Sequence, residues 1–252
     1  MKQNEFQNMW ETMQREGYFR EHPHYSDHFG ITPDKQELEL DAAITSLDFS
    51  ADDITMPIPY SDELERSVKR TESTWLYRMF DLPRSGCAYD IGCGFGRSLI
   101  WMTEIYDQVI GSDISPTVIQ QAQDNLKDAD NLTLYANSAD ALPSGITQKS
   151  IDVAYIFTVF QHIPREYACQ LLIQLQPLLK ESGKVVFNLL TNINEELNTG
   201  EINTEWAIGY SHEQANAMVQ DAGLSLLRMT TWSRPETDVQ WLWVLAANNK
   251  EN

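Results

Sequence analysis

Apolar and polar positions alternate in two rhythms along most of this chain. From Tyr89 onward, short β-prone runs take turns with stretches of helical character: "AYDI" then "GRSLIWMTEIY", "QVIGSD" then "SPTVIQQAQDNLKD", "LTLYAN" then "ADALPSG", "IDVAYIF" then "REYACQLLIQLQPLLKE". "GKVVFNLL" follows, then a loop-like stretch, then the helical "SHEQANAMVQDAGL" and two last runs, "LSLLRMTTW" and "VQWLWVLAA". Seven strand candidates with crossovers of this length predict an α/β fold: a mostly parallel sheet, right-handed connections and helices on both faces. The last two runs are joined by "SRPETD", a short polar turn, which predicts an antiparallel hairpin at one edge. In the final strand Trp241, Trp243 and Leu245 alternate with Leu242, Val244 and Ala246, so both faces are apolar and the tryptophans read as core.

This rhythm is absent from the first sixty or so residues. Between Asp34 and Glu65 ten residues are acidic and one is basic, and "TMPIPYSDELE" places two prolines before a plausible N-cap at Ser61 or Asp62. The pattern predicts a helical and irregular N-terminal cap over residues 1–61, a main domain over 62–252, and a helix from about Asp62 to Phe80 leading into the first strand. No internal repeat or low-complexity tract interrupts it.

Composition narrows the partners. The 252 residues suffice for one sizeable core, and 42% hydrophobic with 22% charged residues is the make-up of an ordinary folding chain. A net charge of −19, from 18 Lys and Arg against 37 Asp and Glu, repels a phosphate backbone and an anionic lipid surface, so neither nucleic acid nor membrane is an expected partner. The same charge serves solubility or steers a cationic substrate. Cys87, Cys93 and Cys169 are too few and too irregularly spaced for a disulfide framework or a zinc knuckle, which suits a reducing compartment. With no apolar run of roughly 18 residues and no apolar signal core near Met1, the expected location is the cytoplasm.

The chemistry begins at "AYDIGCGFGRSLIW". A strand running into G-x-G-x-G lets the backbone turn tightly and approach a ligand closely, and the helix that follows aims its N-terminus at the same place. Gly92, Gly94 and Gly96 hold that spacing, but Arg97 stands where a dinucleotide fingerprint has its third glycine. Asp90, two residues before the loop, would repel a pyrophosphate and attract an ammonium or sulfonium. Asp113 ends the second strand candidate, where an acid takes both hydroxyls of a ribose. Asp140, just after the third, can accept from an adenine amino group. The inferred ligand is adenosine with a positively charged, non-phosphate tail.

In this order "YDIGCGFG", "GSDIS", "NSADALP" and "IDVAYIFTVFQHIP" resemble the S-adenosylmethionine-dependent methyltransferases of the Rossmann-like kind, over roughly residues 62 to 247. The resemblance implies S-adenosylmethionine as cofactor and a seven-stranded sheet in the order 3-2-1-4-5-7-6 with the last strand antiparallel. It implies that Asp90 faces the methionine amino group, that Gly92, Cys93, Gly94 and Gly96 underlie the methionine and sugar, and that Asp113 binds the ribose. Ile114 would lie against the adenine, Ala139 and Asp140 would meet its edge, and Phe157 would line the methionine side.

Methyl transfer from a sulfonium is an in-line displacement, which needs alignment and exclusion of water, and a base only if the acceptor must lose a proton. "FTVFQHIP" puts Gln161 and His162 on the rim where an acceptor would lie. His162 is the candidate base; the alternative is a histidine that packs or caps the next helix. "FREHPHYSDHF" gathers His22, His24 and His28 beside Asp27, but Pro23 and the uneven spacing fix no common geometry, and no metal is expected. By analogy with the fold, the N-terminal cap and the insert "TNINEELNTGEINTEWAIGYSHE" cover the acceptor. Tyr18, Phe19, Tyr25, Trp206 and Tyr210 are then candidates for its walls, with core packing the other reading of each. The function expected is transfer of a methyl group to oxygen or nitrogen of a small molecule; methylation of a protein or peptide, and a non-catalytic cofactor-binding partner subunit, are the alternatives. Oligomeric state is not legible.

Overall fold

The computed structural model describes residues 8, 11–12, 48–55, 76–191, 208–233 and 240–248. In chain order the elements are β1 (Asp53–Thr55), β2 (Cys87–Ile91), α1 (Arg97–Ile105), β3 (Gln108–Asp113), α2 (Pro116–Asn125), β4 (Leu132–Ala136), β5 (Ile151–Ile156), α3 (Arg165–Leu175), β6 (Leu179–Thr191), α4 (His212–Asp221), β7 (Leu224–Ser233) and β8 (Gln240–Asn248). Residues 76–79 are helical, and the rest of the helix expected from about Asp62 lies outside the described residues.

The strands form one sheet in the order β1-β7-β8-β6-β5-β2-β3-β4. From β2 onward this is the expected seven-strand arrangement: parallel pairs through the middle, with β8 antiparallel to both β6 and β7. The strand count is corrected from seven to eight. β1, inside the segment expected to be helical and irregular, pairs in parallel with β7 in the register Asp53↔Thr231 to Thr55↔Ser233, so the β7–β8 hairpin is not the edge there. The reason is local. Ile54 and Phe49 are buried, with the Phe49 ring 6.5 Å from that of Trp232. The guanidinium of Arg228 donates to the carbonyls of Met79, Phe49 and Ala51, which satisfies backbone groups that an irregular stretch would leave exposed.

Two apolar layers cover the sheet. One contains the buried sides of α3 and α4 with Phe160, Phe187, Leu242, Val244 and Ala246. The other contains Leu99, Trp101 and Met102 of α1 with Leu76, Phe80, Tyr155, Trp241, Trp243 and Leu245. The alternation read from the last strand therefore sorts its residues onto the two faces, and its tryptophans are core. Caps follow the sequence signals. Ser115 accepts from Val118 N ahead of Pro116, and Ser211 with Gln214 forms a capping box at α4. No helix among the described residues is long and apolar enough to cross a membrane.

Candidate functional site

The sheet order reverses between β2 and β5, since β3 and β4 continue to one side and β6 to the other. A crevice opens at the carboxyl ends of strands flanking such a point. The residues singled out along the sequence come to this end: Asp90 near the end of β2, Asp113 closing β3, the 137–141 turn after β4, and Phe157 directly after β5.

The glycine loop is pulled back onto β3, with Gly92 N and Cys93 N donating to Ser112 O at 2.7 and 2.9 Å. Gly92 has φ +77°, and a Cβ there would stand 2.3 Å from Val159 Cγ2, so both conformation and space require glycine. Gly94 differs. At φ +53° a Cβ would meet nothing within 4 Å among the described residues.

Asp113 ties the corner together. Its Oδ2 accepts from Gly94 N at 3.1 Å, its Oδ1 from Ser115 N at 3.0 Å, and its carbonyl from Asn137 N at 3.0 Å. Glycine loop, start of α2 and the turn after β4 thus share one residue. Burial raises the Asp113 carboxyl above its ordinary pKa, against the opposing pull of backbone N–H groups. Cys93 is buried, and burial, then the Asp113 and Asp90 carboxylates, push its thiol well up. Two acids therefore flank a protonated thiol, and Asp90 is 2% exposed. Ile114 packs on the α3 side of the core and Ala139 is buried there.

Asp140 is positioned from below. Ser138 Oγ donates to its Oδ1 at 3.1 Å, and Gln174 of α3 donates to its carbonyl at 2.6 Å while accepting from Leu142 N at 2.9 Å. On the other flank Phe157 is buried edge-on to Tyr155 and Trp243, each with ring centroids 5.4 Å away.

Thr158, the next residue, has φ +57°, which a β-branched side chain seldom adopts. Its N–H donates to Oδ1 of the buried Asn188 at 2.7 Å, and its hydroxyl to Phe157 O at 2.7 Å. Neither Thr158 nor Asn188 stands out as a ligand residue in the sequence. The one legible sign is Asn188 itself, polar in the middle of the apolar run "VVFNLL".

Gln161 and His162 lie in the short turn Phe160–His162 that follows. Gln161 is 1% exposed, with Nε2 3.3 Å from His162 Nε2 and Oε1 without a hydrogen-bond partner among the described residues. Burial holds the His162 pKa down at about 4, so the imidazole is neutral at physiological pH. Tyr210 is buried, donates to Phe160 O at 3.2 Å and carries the Arg165 guanidinium over its ring, which is a core position behind this turn. Tyr18, Phe19, Tyr25, Trp206 and the histidines at 22, 24 and 28 lie outside the described residues. Among the described residues no three His, Cys, Asp or Glu converge as a metal site.

A groove of about 570 Å³ occurs elsewhere, at the amino ends of the strands, lined by Cys87, Gln108 and Asn131. Asp107 and Asp130 also line it, but Asp90, Asp113 and Asp140 do not. The arrangement at the carboxyl ends suits a ligand that presents hydroxyls and amino groups to carboxylates, carries positive charge and passes close over Gly94.

The fold is similar to the magnesium protoporphyrin IX methyltransferase ChlM from Synechocystis PCC 6803 with bound S-adenosylhomocysteine (16% identity, 97% of this chain and 100% of that one, TM-score 0.61). It is also similar to a SAM-dependent methyltransferase from Methanosarcina mazei (18%, 68% and 95%, 0.55) and to the [4+2]-cyclase SpnF (14%, 74% and 82%, 0.60). A search of curated protein sequences gives no significant match. Residues 88–183, from β2 through the glycine loop, Asp113, Asp140 and His162 into β6, match the family described as methyltransferase domain. Over that stretch the chain is similar to the methyltransferase domain family, and its fold is that of S-adenosylmethionine-dependent methyltransferases of the Rossmann-like kind.

Proposed function

We propose that the protein transfers the methyl group of S-adenosylmethionine to oxygen or nitrogen of a small-molecule acceptor. The observation that carries the cofactor half is the set of acids around the open glycine turn: Asp90 and Asp113 flanking Cys93, and Asp140 held by α3. Asp90 meets the ammonium of the methionine end and Asp113 the two ribose hydroxyls. Ala139 and Asp140 receive the adenine edge, Ile114 covers one face of the ring, and Phe157 bounds the methionine side. Gly92, Cys93, Gly94 and Gly96 form the floor. The cofactor supplies an electrophilic methyl group; the protein aligns the acceptor with it and keeps water out.

The acceptor half rests on the charge of −19, which disfavours nucleic acid, and on the likeness over 97% of the chain to an enzyme that methylates magnesium protoporphyrin IX. A cytoplasmic location follows from the same reading. Gln161 offers its buried amide at the acceptor rim. His162 serves there as a neutral proton acceptor of low basicity, so alignment contributes more to rate than proton removal. Trp206, Tyr18, Phe19 and Tyr25 complete the acceptor wall in this reading, with Tyr210 supporting it from the core.

Thermal unfolding with S-adenosylmethionine, S-adenosylhomocysteine or NAD in separate samples tests the proposal. A ligand at about 100 times its Kd stabilises the folded state by roughly 2.7 kcal/mol, about 5 to 10 °C in Tm at this size. Stabilisation by the two adenosyl sulfur compounds alone is expected. A shift with NAD alone, or with none, sinks the cofactor assignment.

A further inference from the structure

Glu11 reaches the cofactor corner from the far N-terminus. It lies in helical geometry with Asn8 and Thr12, and its carboxylate accepts from Ser115 Oγ and Thr117 Oγ1, each at 2.5 Å, across more than a hundred residues of sequence. Both donors belong to the start of α2, where the helix dipole favours an anion. Ser115 is also the residue whose N–H holds Asp113 Oδ1. One bidentate carboxylate is therefore a single residue removed from the carboxylate assigned to the ribose. The two sense each other, since Glu11 is among the groups that raise the Asp113 pKa.

We infer that Glu11 is a positioning residue for the cofactor: by fixing the N-terminal segment on the first turn of α2 it orders the ribose corner, so segment docking and cofactor binding reinforce each other. The inference rests on the cofactor assignment made above. Its physical basis is that two charge-assisted hydrogen bonds freeze the Ser115 and Thr117 hydroxyls and the turn that presents Asp113. A ligand held by Asp113 then meets a turn already in place. By linkage, the same ligand must strengthen the docking of Glu11.

The test uses the full chain as wild type, Glu11→Ala, Glu11→Gln, Thr117→Val and the double variant Glu11→Ala with Thr117→Val. Calorimetry gives the Kd for S-adenosylhomocysteine, and tryptic cleavage after Arg15 and Arg20 is timed with and without that ligand. Glu11→Ala is expected to raise Kd about 5- to 20-fold, with Glu11→Gln and Thr117→Val smaller and the double variant no worse than Glu11→Ala. The ligand should slow cleavage in wild type and not in Glu11→Ala. KM for S-adenosylmethionine should rise while kcat at saturation holds, a split that loss of fold would not give. Wild-type affinity in Glu11→Ala, or equal protection in both chains, overturns the inference and leaves the cofactor assignment standing. A wild-type chain that binds no S-adenosylhomocysteine overturns both.

Discussion

Asp113 illustrates how a residue legible in the sequence gains a second duty in the structure. Its position at the end of a strand makes it the proposed ribose acid, and its bonds to Gly94 N and Ser115 N also shape the loop. Asp113→Ala should weaken S-adenosylhomocysteine binding at least about tenfold by calorimetry, through loss of two charge-assisted bonds. Asp113→Asn, which keeps an acceptor for one N–H, should separate the ligand term from the loop term. His162 carries a pH signature instead. Its pKa is about 4 in the fold against an ordinary 6.5, so the unfolded chain binds the extra proton between those values and stability rises with pH across that window, by roughly 3 kcal/mol, then levels off. Denaturation of His162→Gln between pH 4 and 7 should lack that slope. Turnover at pH 6 to 8 should depend little on this imidazole, which stays neutral there. Thr158 was invisible in advance because no local rule puts a β-branched side chain at positive φ; only the surrounding strands, with Asn188 reaching across, hold it. Asn188→Leu leaves the Thr158 N–H without that acceptor and should cost about 1 to 3 kcal/mol in urea denaturation.

At the scale of elements, the strands from β2 to β8 were legible because each is an apolar run bounded by turn residues, and the central ones are buried on both faces. The order followed from the family resemblance, which the pairing bears out. β1 was not legible. "DIT" has one apolar residue in an acidic stretch, and no window of three residues carries a period. What makes it a strand is Arg228, on β7, which donates to Phe49, Ala51 and Met79 carbonyls. Arg228→Met keeps the stem and removes the donors. It should lower stability by about 2 kcal/mol, or roughly 4 to 8 °C in Tm, and speed amide exchange in residues 53–55 while leaving the strands from β2 to β5 protected.

For the whole molecule, charge and thiols set the behaviour in solution. Cys87 and Cys93 are buried, with burial raising both thiols, and Cys169 is only partly covered. A thiol reagent such as Ellman's should titrate one group slowly in the native protein and three in urea, with S-adenosylhomocysteine leaving the native count unchanged. The eighth strand bears on how the chain is made. Parallel pairing of β1 with β7 joins positions 53 and 231, so β1 is synthesised well before the strand it pairs with. Arg228, which fixes the same segment, is synthesised nearly as late. During translation the sheet from β2 to β5 can assemble before residues 48–55 have their β7 partner. Attachment of residues 48–55 to this edge thus waits for β7, and a nascent chain arrested before Leu224 would carry β1 undocked.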